Sequence, residues 1–124
     1  MIGSDMRDLS YRNLMVWQRA MELVEEIYLI TKQFPADEKF GLTSQMRRAV
    51  VSIPSNRAEG KLKGTVKEYR RFLLHAFGSG AELETQIEIV ARLRYATPED
   101  LKTSFMLLDQ VMRMLNTLIR RLES

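Results

Sequence analysis

The chain of 124 residues contains no cysteine. Disulfide bonds, cysteine-ligated zinc and thiol nucleophiles are therefore excluded. No apolar run approaches the roughly 20 residues that cross a membrane, and no signal peptide opens the chain. We therefore expect a cytoplasmic protein without a membrane partner. The opening MIGSDM is typical of a cloning remnant or a frayed terminus.

Histidine is almost absent as well, with His75 alone. Three carboxylates, Glu82, Glu84 and Glu88, would suit a metal held in a helix bundle. That kind of site needs about four carboxylates and two Glu-x-x-His motifs, and no Glu lies three residues before His75. No glycine-rich phosphate loop, metal-ligand spacing or catalytic triad motif appears either. The sequence predicts no catalytic residue, no metal, no cofactor and no small-molecule substrate.

Charge is present but unevenly distributed. The net charge is +3, yet residues 1–46 carry −2 and residues 72–124 carry −1. Residues 47–71, with eight basic and two acidic side chains, carry +6, so the whole basic excess lies in this segment. Its basic residues are Arg47, Arg48, Arg57, Lys61, Lys63, Lys67, Arg70 and Arg71.

Apolar residues recur with helical period, and no stretch alternates as a strand does. The pattern predicts helices at about 14–33, 44–60, 66–94 and 98–122. Short connections between amphipathic helices favour an all-α, up-down-up-down four-helix bundle, with residues 1–124 forming one domain. The first two predicted core faces are Val16, Ala20, Leu23, Ile27, Ile30 and Phe34, then Met46, Ala49, Val50 and Ile53.

The helix boundaries have their own signals. Thr43, Thr65 and Thr97 are N-cap candidates for helices 2, 3 and 4. Glu68 would complete a capping box with Thr65, and Pro98 suits a first helical position. Helix 2 is predicted to end at two glycines, Gly60 and Gly64.

The last two helices carry further patterns. In AFGSGA, residues 76–81, two glycines allow either a close backbone approach or a bend within helix 3. Helix 4 has two apolar stripes, which predict a bundle core on one side and a subunit contact on the other. Helix 3 is predicted to bury Phe72, Leu73, Ala76, Leu83, Ile87, Val90 and Leu93. The helix 4 stripes are Leu101, Phe105, Leu108, Met112, Leu115, Ile119 and Leu122, and Leu107, Val111, Met114 and Leu118.

Pro54 interrupts helix 2, where its ring and missing N–H cost ~3 kcal/mol unless the helix kinks. Two interpretations fit: a kinked helix, or a break at Ser52 followed by a restart. Helical spacing continues across the proline, which favours the kink. The polar residues that follow, Ser55, Asn56 and Glu59, then either satisfy the freed carbonyl or form a site, and the first role is the commoner one.

Four blocks of the sequence resemble a known family in order and spacing. They are LMVWQRAMELVEEIYLITKQFP, FGLTSQMRRAVVSIPSNRAEG, EYRRFLLHAFGSGAELETQIEIV and MLNTLIRRL. Together, over about residues 9–122, they resemble the four-helix-bundle proteins encoded in intervening sequences of bacterial 23S ribosomal RNA genes. The chain is also distantly similar to accessory proteins of diversity-generating retroelements, which form pentameric barrels and work with a reverse transcriptase and nucleic acid.

The resemblance implies a bacterial four-helix bundle that assembles into a ring, with a homopentamer favoured, and a role in nucleic-acid binding. Two positions depart from the family pattern. Arg57 stands where the family usually has an aliphatic residue, and Phe77 stands where it usually has a basic one. The first adds charge to the basic segment, and the second removes charge from helix 3.

Three functional hypotheses follow. The first is RNA or DNA binding through the eight basic residues of segment 47–71, with Tyr69 as a stacking surface beside Arg70 and Arg71. A solvated basic face is its alternative, and Arg47 and Arg48 have another, pairing with Glu82, Glu84 or Glu88 across the bundle or between subunits. The second hypothesis is a scaffold whose partner is another protein. The third, a small-molecule enzyme, has no motif behind it.

Overall fold

The fold is described by a computed structural model that covers the backbone of residues 2–123 and the side chains of residues 10–123. Helix α1 spans Ile2–Thr31, α2 spans Leu42–Leu62, α3 spans Val66–Leu93 and α4 spans Pro98–Arg121. A single 3-10 turn, Ala36–Glu38, lies between α1 and α2. Residues 2–123 contain no strand, so the predicted all-α class is confirmed.

Each helix packs against its neighbours in sequence, and α4 closes the bundle by packing against α1. The backbones of the diagonal pairs, α1 with α3 and α2 with α4, lie farther apart, with no Cα atoms within 8 Å of each other. This is the predicted up-down-up-down bundle. The turn between α2 and α3 therefore lies at the same end as the C-terminus of α4, where Arg70 Nε donates to the Ile119 carbonyl at 3.2 Å. No described helix is long and apolar enough to cross a bilayer.

The predicted core faces of α1 and α2 are buried at every position. Two predictions for the other helices are wrong, since Leu93 and Phe105 are exposed. Both stripes of α4 contribute to the core of this one chain, and Leu107, Val111 and Leu118 of the second stripe are buried. The second stripe is therefore mostly used inside the bundle rather than left for a subunit contact.

Helix α1 begins at Ile2, not near Leu14. The predicted start followed the first apolar core position, Val16, and the buried position before it is occupied by the polar Asn13. The start predicted for α2 at Thr43 is also wrong, because the N-cap is Gly41 and has no side-chain oxygen. The carboxylate of Glu38, in the preceding turn, accepts from the Leu42 amide at 3.1 Å instead.

Two hydrogen bonds hold the Glu38 carboxylate, since its second oxygen accepts from the Tyr95 hydroxyl at 2.8 Å. The bond from the Leu42 amide, followed by that from Tyr95, lowers the pKa of Glu38. The same contact with Glu38 raises the pKa of Tyr95. The carboxylate thus links the start of α2 to the residues that follow α3.

Helix α2 is continuous through Pro54, so the alternative of a break at Ser52 is wrong. The Asn56 amide donates to the Ser52 carbonyl at 2.8 Å. This acceptor is not the Val50 carbonyl that the proline leaves without a donor, so the prediction that Asn56 satisfies that carbonyl is wrong. Ser55 and Glu59, which the sequence grouped with Asn56, are exposed.

The predicted N-caps of α3 and α4 are present, but the capping box predicted between Thr65 and Glu68 is not, since the Glu68 carboxylate pairs with Arg71. Thr65 Oγ1 accepts from the Glu68 amide at 3.1 Å, and Thr97 forms a reciprocal capping box with Asp100 ahead of Pro98. Within AFGSGA, only one glycine serves a close approach. A Cβ atom on Gly80 would collide with the Met112 side chain of α4, whereas Gly78 faces open space.

Candidate nucleic-acid interface

The structure divides the eight basic residues of segment 47–71 into two groups. Arg47, Arg48 and Arg57 lie along the body of α2, and the other five surround the short turn between α2 and α3. The groups differ in what their side chains contact. Two of the three arginines of α2 bind another helix of the same chain.

Arg47 is half-buried against α1. Its Nε donates to Thr31 Oγ1 at 2.9 Å, and its guanidinium lies 4.5 Å from the centre of the Tyr28 ring. The predicted pairing of Arg47 with carboxylates of α3 across the bundle is wrong, because the side chain turns toward α1. Stacking on an aromatic ring makes this arginine part of the α1–α2 packing.

Arg48 is exposed, and its guanidinium donates to Ser44 Oγ at 3.3 Å. It lines a polar groove of about 250 Å³ with Glu82, but the two form no ion pair among the described residues. The Glu82 carboxylate accepts from Gln86 instead, and Glu88 pairs with Arg92 one turn away at 3.9 Å. The predicted pairing of Arg48 with α3 of its own chain is therefore wrong too, and pairing between subunits stays a prediction.

Arg57 belongs to a polar cluster that joins three helices. Its Nε donates to Asn13 Oδ1 at 2.7 Å, and the Tyr69 hydroxyl donates to the same oxygen. Asn13 is only 3% exposed. Burial raises the pKa of Tyr69 to about 12, with the positive charge of Arg57 acting in the opposite direction. Tyr69 is thus half-buried with its hydroxyl bound to α1, and its role as a stacking surface stays a prediction.

The turn between α2 and α3 is short and well fixed. Gly64 has φ +83°, a conformation that a side chain would strain. Gly60 lies inside α2 rather than ending it, and a Cβ there would come within 2.7 Å of Phe72 Cβ. The close approach at Gly60 and the Thr65 cap hold the last turn of α2 against the first turns of α3.

Three lysines project from this turn. Lys61, Lys63 and Lys67 are exposed, and none of them forms an ion pair within the described part of the chain. Arg71 is exposed as well but pairs with Glu68 at 2.8 Å. Exposed pairs of this kind contribute little free energy, so a phosphate can replace the carboxylate at small cost.

The aromatic side chain that accompanies these cations is Phe72, which the sequence assigned to the core. The ring is half-buried. Its centre lies 4.8 Å from the Arg71 guanidinium and 5.9 Å from the Lys63 ammonium. Sequence reasoning chose Tyr69 because it adjoins Arg70, but on a helix adjacent residues point in different directions.

Arg70 lies between the turn and the end of α4. Its guanidinium pairs with Glu123 at 2.7 Å. A shallow, open groove of about 650 Å³ passes this pair, lined also by Val66, Lys67 and Leu122. The groove connects Lys67 with the residues that follow α4.

Sequence reasoning missed two cations at this location. Arg120 and Arg121 occupy the last turn of α4 and are exposed. They are distant from segment 47–71 in sequence, but the predicted topology already placed the two segments at one end. We call residues 61–71 together with residues 119–123 the basic end.

No group of three or more potential metal ligands occurs among the residues that the structure describes. His75, also outside any predicted site, makes a ring contact with Phe72 at 5.9 Å.

Fold and surface together define a four-helix-bundle protein with a cluster of exposed basic residues at one end. The model of the 23S rRNA-intervening sequence protein family matches residues 12–117, and the chain belongs to this family. Among solved structures it is similar to a protein of unknown function from the S23 ribosomal protein family of Bacteroides thetaiotaomicron VPI-5482. The two share 21% identity over 88% of this chain and 98% of that one, with a TM-score of 0.81. No curated protein sequence matches the chain.

Proposed function

We propose that this protein binds RNA or DNA through its basic end and performs no catalysis. The observation that carries the proposal is the exposure of Lys61, Lys63 and Lys67 around one rigid turn, without carboxylate partners in the described part of the chain. Phosphate binding gains free energy from the counterions that such cations displace. The first amides of α3 add positive potential beside Lys67.

The rest of the basic segment has a different role in this proposal. Arg47 and Arg57 are engaged with α1, so they stabilise the bundle rather than contact phosphate. Arg71 and Arg70 exchange the carboxylates of Glu68 and Glu123 for phosphate when nucleic acid is bound. The proposed interface therefore uses fewer than the eight basic residues of segment 47–71, but it also includes the end of α4.

We further propose that the protein acts as a homo-oligomer, with the pentamer that the family resemblance implies. Leu14, Met21 and Tyr28 recur every seven residues on α1 and are all partly exposed, a spacing that suits contact with another helix. Several basic ends in one particle would convert weak contacts into useful avidity. Light scattering of the purified protein measures the number of subunits.

The test compares two triple variants with equal changes in net charge. In the first, Lys61, Lys63 and Lys67 become Glu. In the control, three exposed lysines near the opposite end become Glu, namely Lys32, Lys39 and Lys102. We expect the first variant to bind RNA and DNA about a hundredfold more weakly at low salt, with a shallower dependence of affinity on salt. The control should bind nearly as the parent does, and equal losses in both variants would contradict the proposed location.

A protein partner is the second candidate function, and one observation favours it. The Phe40 side chain is 88% exposed at the opposite end of the bundle, with the Lys39 ammonium 5.5 Å from its ring as a neighbour. Exposed aromatic side chains are often anchors of protein interfaces. Recovery of one defined protein after nuclease treatment, lost on Phe40→Ser, would support a scaffold function.

A further inference from the structure

The basic end also exposes apolar side chains, which phosphate binding alone does not use. Leu62, the last residue of α2, is 87% exposed, and Val66, the first residue of α3, is 58% exposed. Both lie directly beside lysines in the sequence KLK and VK. Single exposed aliphatic residues are ordinary on protein surfaces, but two on one fixed cationic turn form a small combined apolar and cationic surface.

We infer that the basic end binds single-stranded nucleic acid and covers Leu62 and Val66 with unpaired bases. The inference rests on the proposed function and specifies its ligand. A duplex presents phosphates on its outside and keeps the faces of its bases stacked inside. Only an unpaired strand offers a base face to an aliphatic side chain and phosphates to the neighbouring lysines at the same time.

The groove beside the turn provides space for such a base. Val66 and Leu122 give it apolar walls, while Lys67 and Arg70 give it positive charge. Beside this groove lies the Phe72 ring, and the Arg71 guanidinium lies over it, 4.8 Å from the ring centre. A guanidinium plane above a ring can itself carry a stacked base.

The turn is organised before any ligand arrives. The Gly60 approach, the Gly64 conformation and the Thr65 cap fix the backbone on both sides of Leu62 and Val66. Little backbone entropy is therefore lost when a strand binds. An anionic lipid surface would also meet cations and aliphatic groups, but two short side chains without an interfacial tryptophan give it a weak anchor.

The experiment uses the full chain and measures binding by fluorescence anisotropy. The probes are labelled unstructured oligouridine and oligothymidine of about 20 nucleotides, longer than the roughly 4–16 nucleotides of one basic single-strand site. A blunt RNA duplex and a blunt DNA duplex with the same number of phosphates are compared at equal salt. Vesicles containing anionic lipid form the last arm.

The key variant replaces Leu62 and Val66 by Ser, which removes the apolar surface without changing charge. We expect it to bind the single strands about tenfold more weakly and to leave weak duplex binding unchanged. The salt dependence of its affinity should equal that of the parent. Leu29→Ser is the matched control, since Leu29 is 60% exposed on α1 near the opposite end and is outside the surface.

Four results decide the question. Preference for single strands together with the tenfold loss supports the inference. Equal affinity for strands and duplexes, unaffected by the double substitution, overturns the inference but leaves nucleic-acid binding intact. Absence of salt-sensitive binding to every probe overturns the proposed function and the inference together. Vesicle binding that is lost in the double variant, without single-strand binding, replaces nucleic acid by a lipid surface and also overturns both.

Discussion

The Nε atom of Arg57 lies 2.7 Å from Oδ1 of Asn13, and this hydrogen bond ties the middle of α2 to the N-terminal half of α1. The same oxygen accepts from the Tyr69 hydroxyl of α3. One amide side chain thus joins three of the four helices close to the basic end. Removal of this side chain should weaken the packing among all three helices.

Replacing Asn13 by Ala should lower the free energy of unfolding by about 1–3 kcal/mol, because two half-buried donors lose their acceptor. Urea denaturation followed by circular dichroism measures the change. Ser55→Ala, an exposed change on α2, serves as the control and should be nearly neutral. An Asn13→Ala protein as stable as the parent would show that water replaces the amide without cost.

Alkaline pH should weaken the same cluster. The folded state raises the pKa of Tyr69 to about 12, above the value of about 10 expected in the unfolded chain. The proton is therefore held more tightly in the folded state, and the stabilisation is complete below about pH 10 and lost between about pH 10 and 12. Tyr69→Phe should be less stable than the parent at neutral pH but should lose less on going to high pH.

Tyr95→Phe is the appropriate comparison in that experiment, because contact with Glu38 also raises the pKa of Tyr95. Denaturation curves at about pH 8 and about pH 11 for the parent and both variants separate the two tyrosines. If Tyr69→Phe and the parent lose equal stability at high pH, Tyr69 does not carry the predicted part of the loss.

Two helical glycines should respond to alanine in opposite directions. Gly78→Ala should raise the free energy of unfolding by roughly 0.5–1 kcal/mol, since its Cβ meets open space and alanine favours the helix. Gly60→Ala should lower it, because the new Cβ would come within 2.7 Å of Phe72 Cβ and 3.3 Å of the Tyr69 carbonyl oxygen. Thermal denaturation of the two variants side by side checks both signs, and stabilisation by Gly60→Ala would contradict the close approach.

Removing the carboxylate that pairs with Arg71 should strengthen nucleic-acid binding. Glu68→Gln deletes the partner at 2.8 Å and leaves the guanidinium available to phosphate. We expect affinity to rise severalfold at low salt and the salt dependence to steepen by up to about one phosphate contact. Asp109→Asn frees Arg113 of α4 in the same way, away from the basic end, and should have no such effect. Weaker binding by Glu68→Gln would mean that the pair positions Arg71.

Much of the fold could be predicted because the buried face of a helix follows from the period of its apolar residues, and its start often follows from a local N-cap residue. Thr65 and Thr97 cap from within their own segments, so the sequence alone identified them. The start of α2 could not be found that way, because Glu38 of the preceding turn supplies the cap. The first turns of α1 were not predicted from the apolar pattern, since the buried position before Val16 is the polar Asn13.

The candidate site was predicted as a cluster of charge, and only its location on the turn followed from the sequence. That Arg47 and Arg57 face inward depends on Thr31 and Asn13, whose proximity exists only after α1 has packed against α2. The aromatic ring that contacts Arg71 and Lys63 is Phe72, which the sequence assigned to the core. Sequence spacing gives the direction of a side chain relative to its helix. Contacts between helices decide which side chains are already bound within the bundle and which stay available to a ligand.

The order of packing around the bundle has a consequence for how the chain folds. Three of the four helix interfaces join helices that follow each other directly, and only the contact of α4 with α1 spans the whole sequence. Closing the few residues between α2 and α3 costs little chain entropy, whereas bringing α4 back to α1 costs more. The hairpin of α2 and α3, which carries the lysine turn, is therefore among the contacts whose formation costs the least chain entropy. A nascent chain would possess that turn before its first and last helices meet.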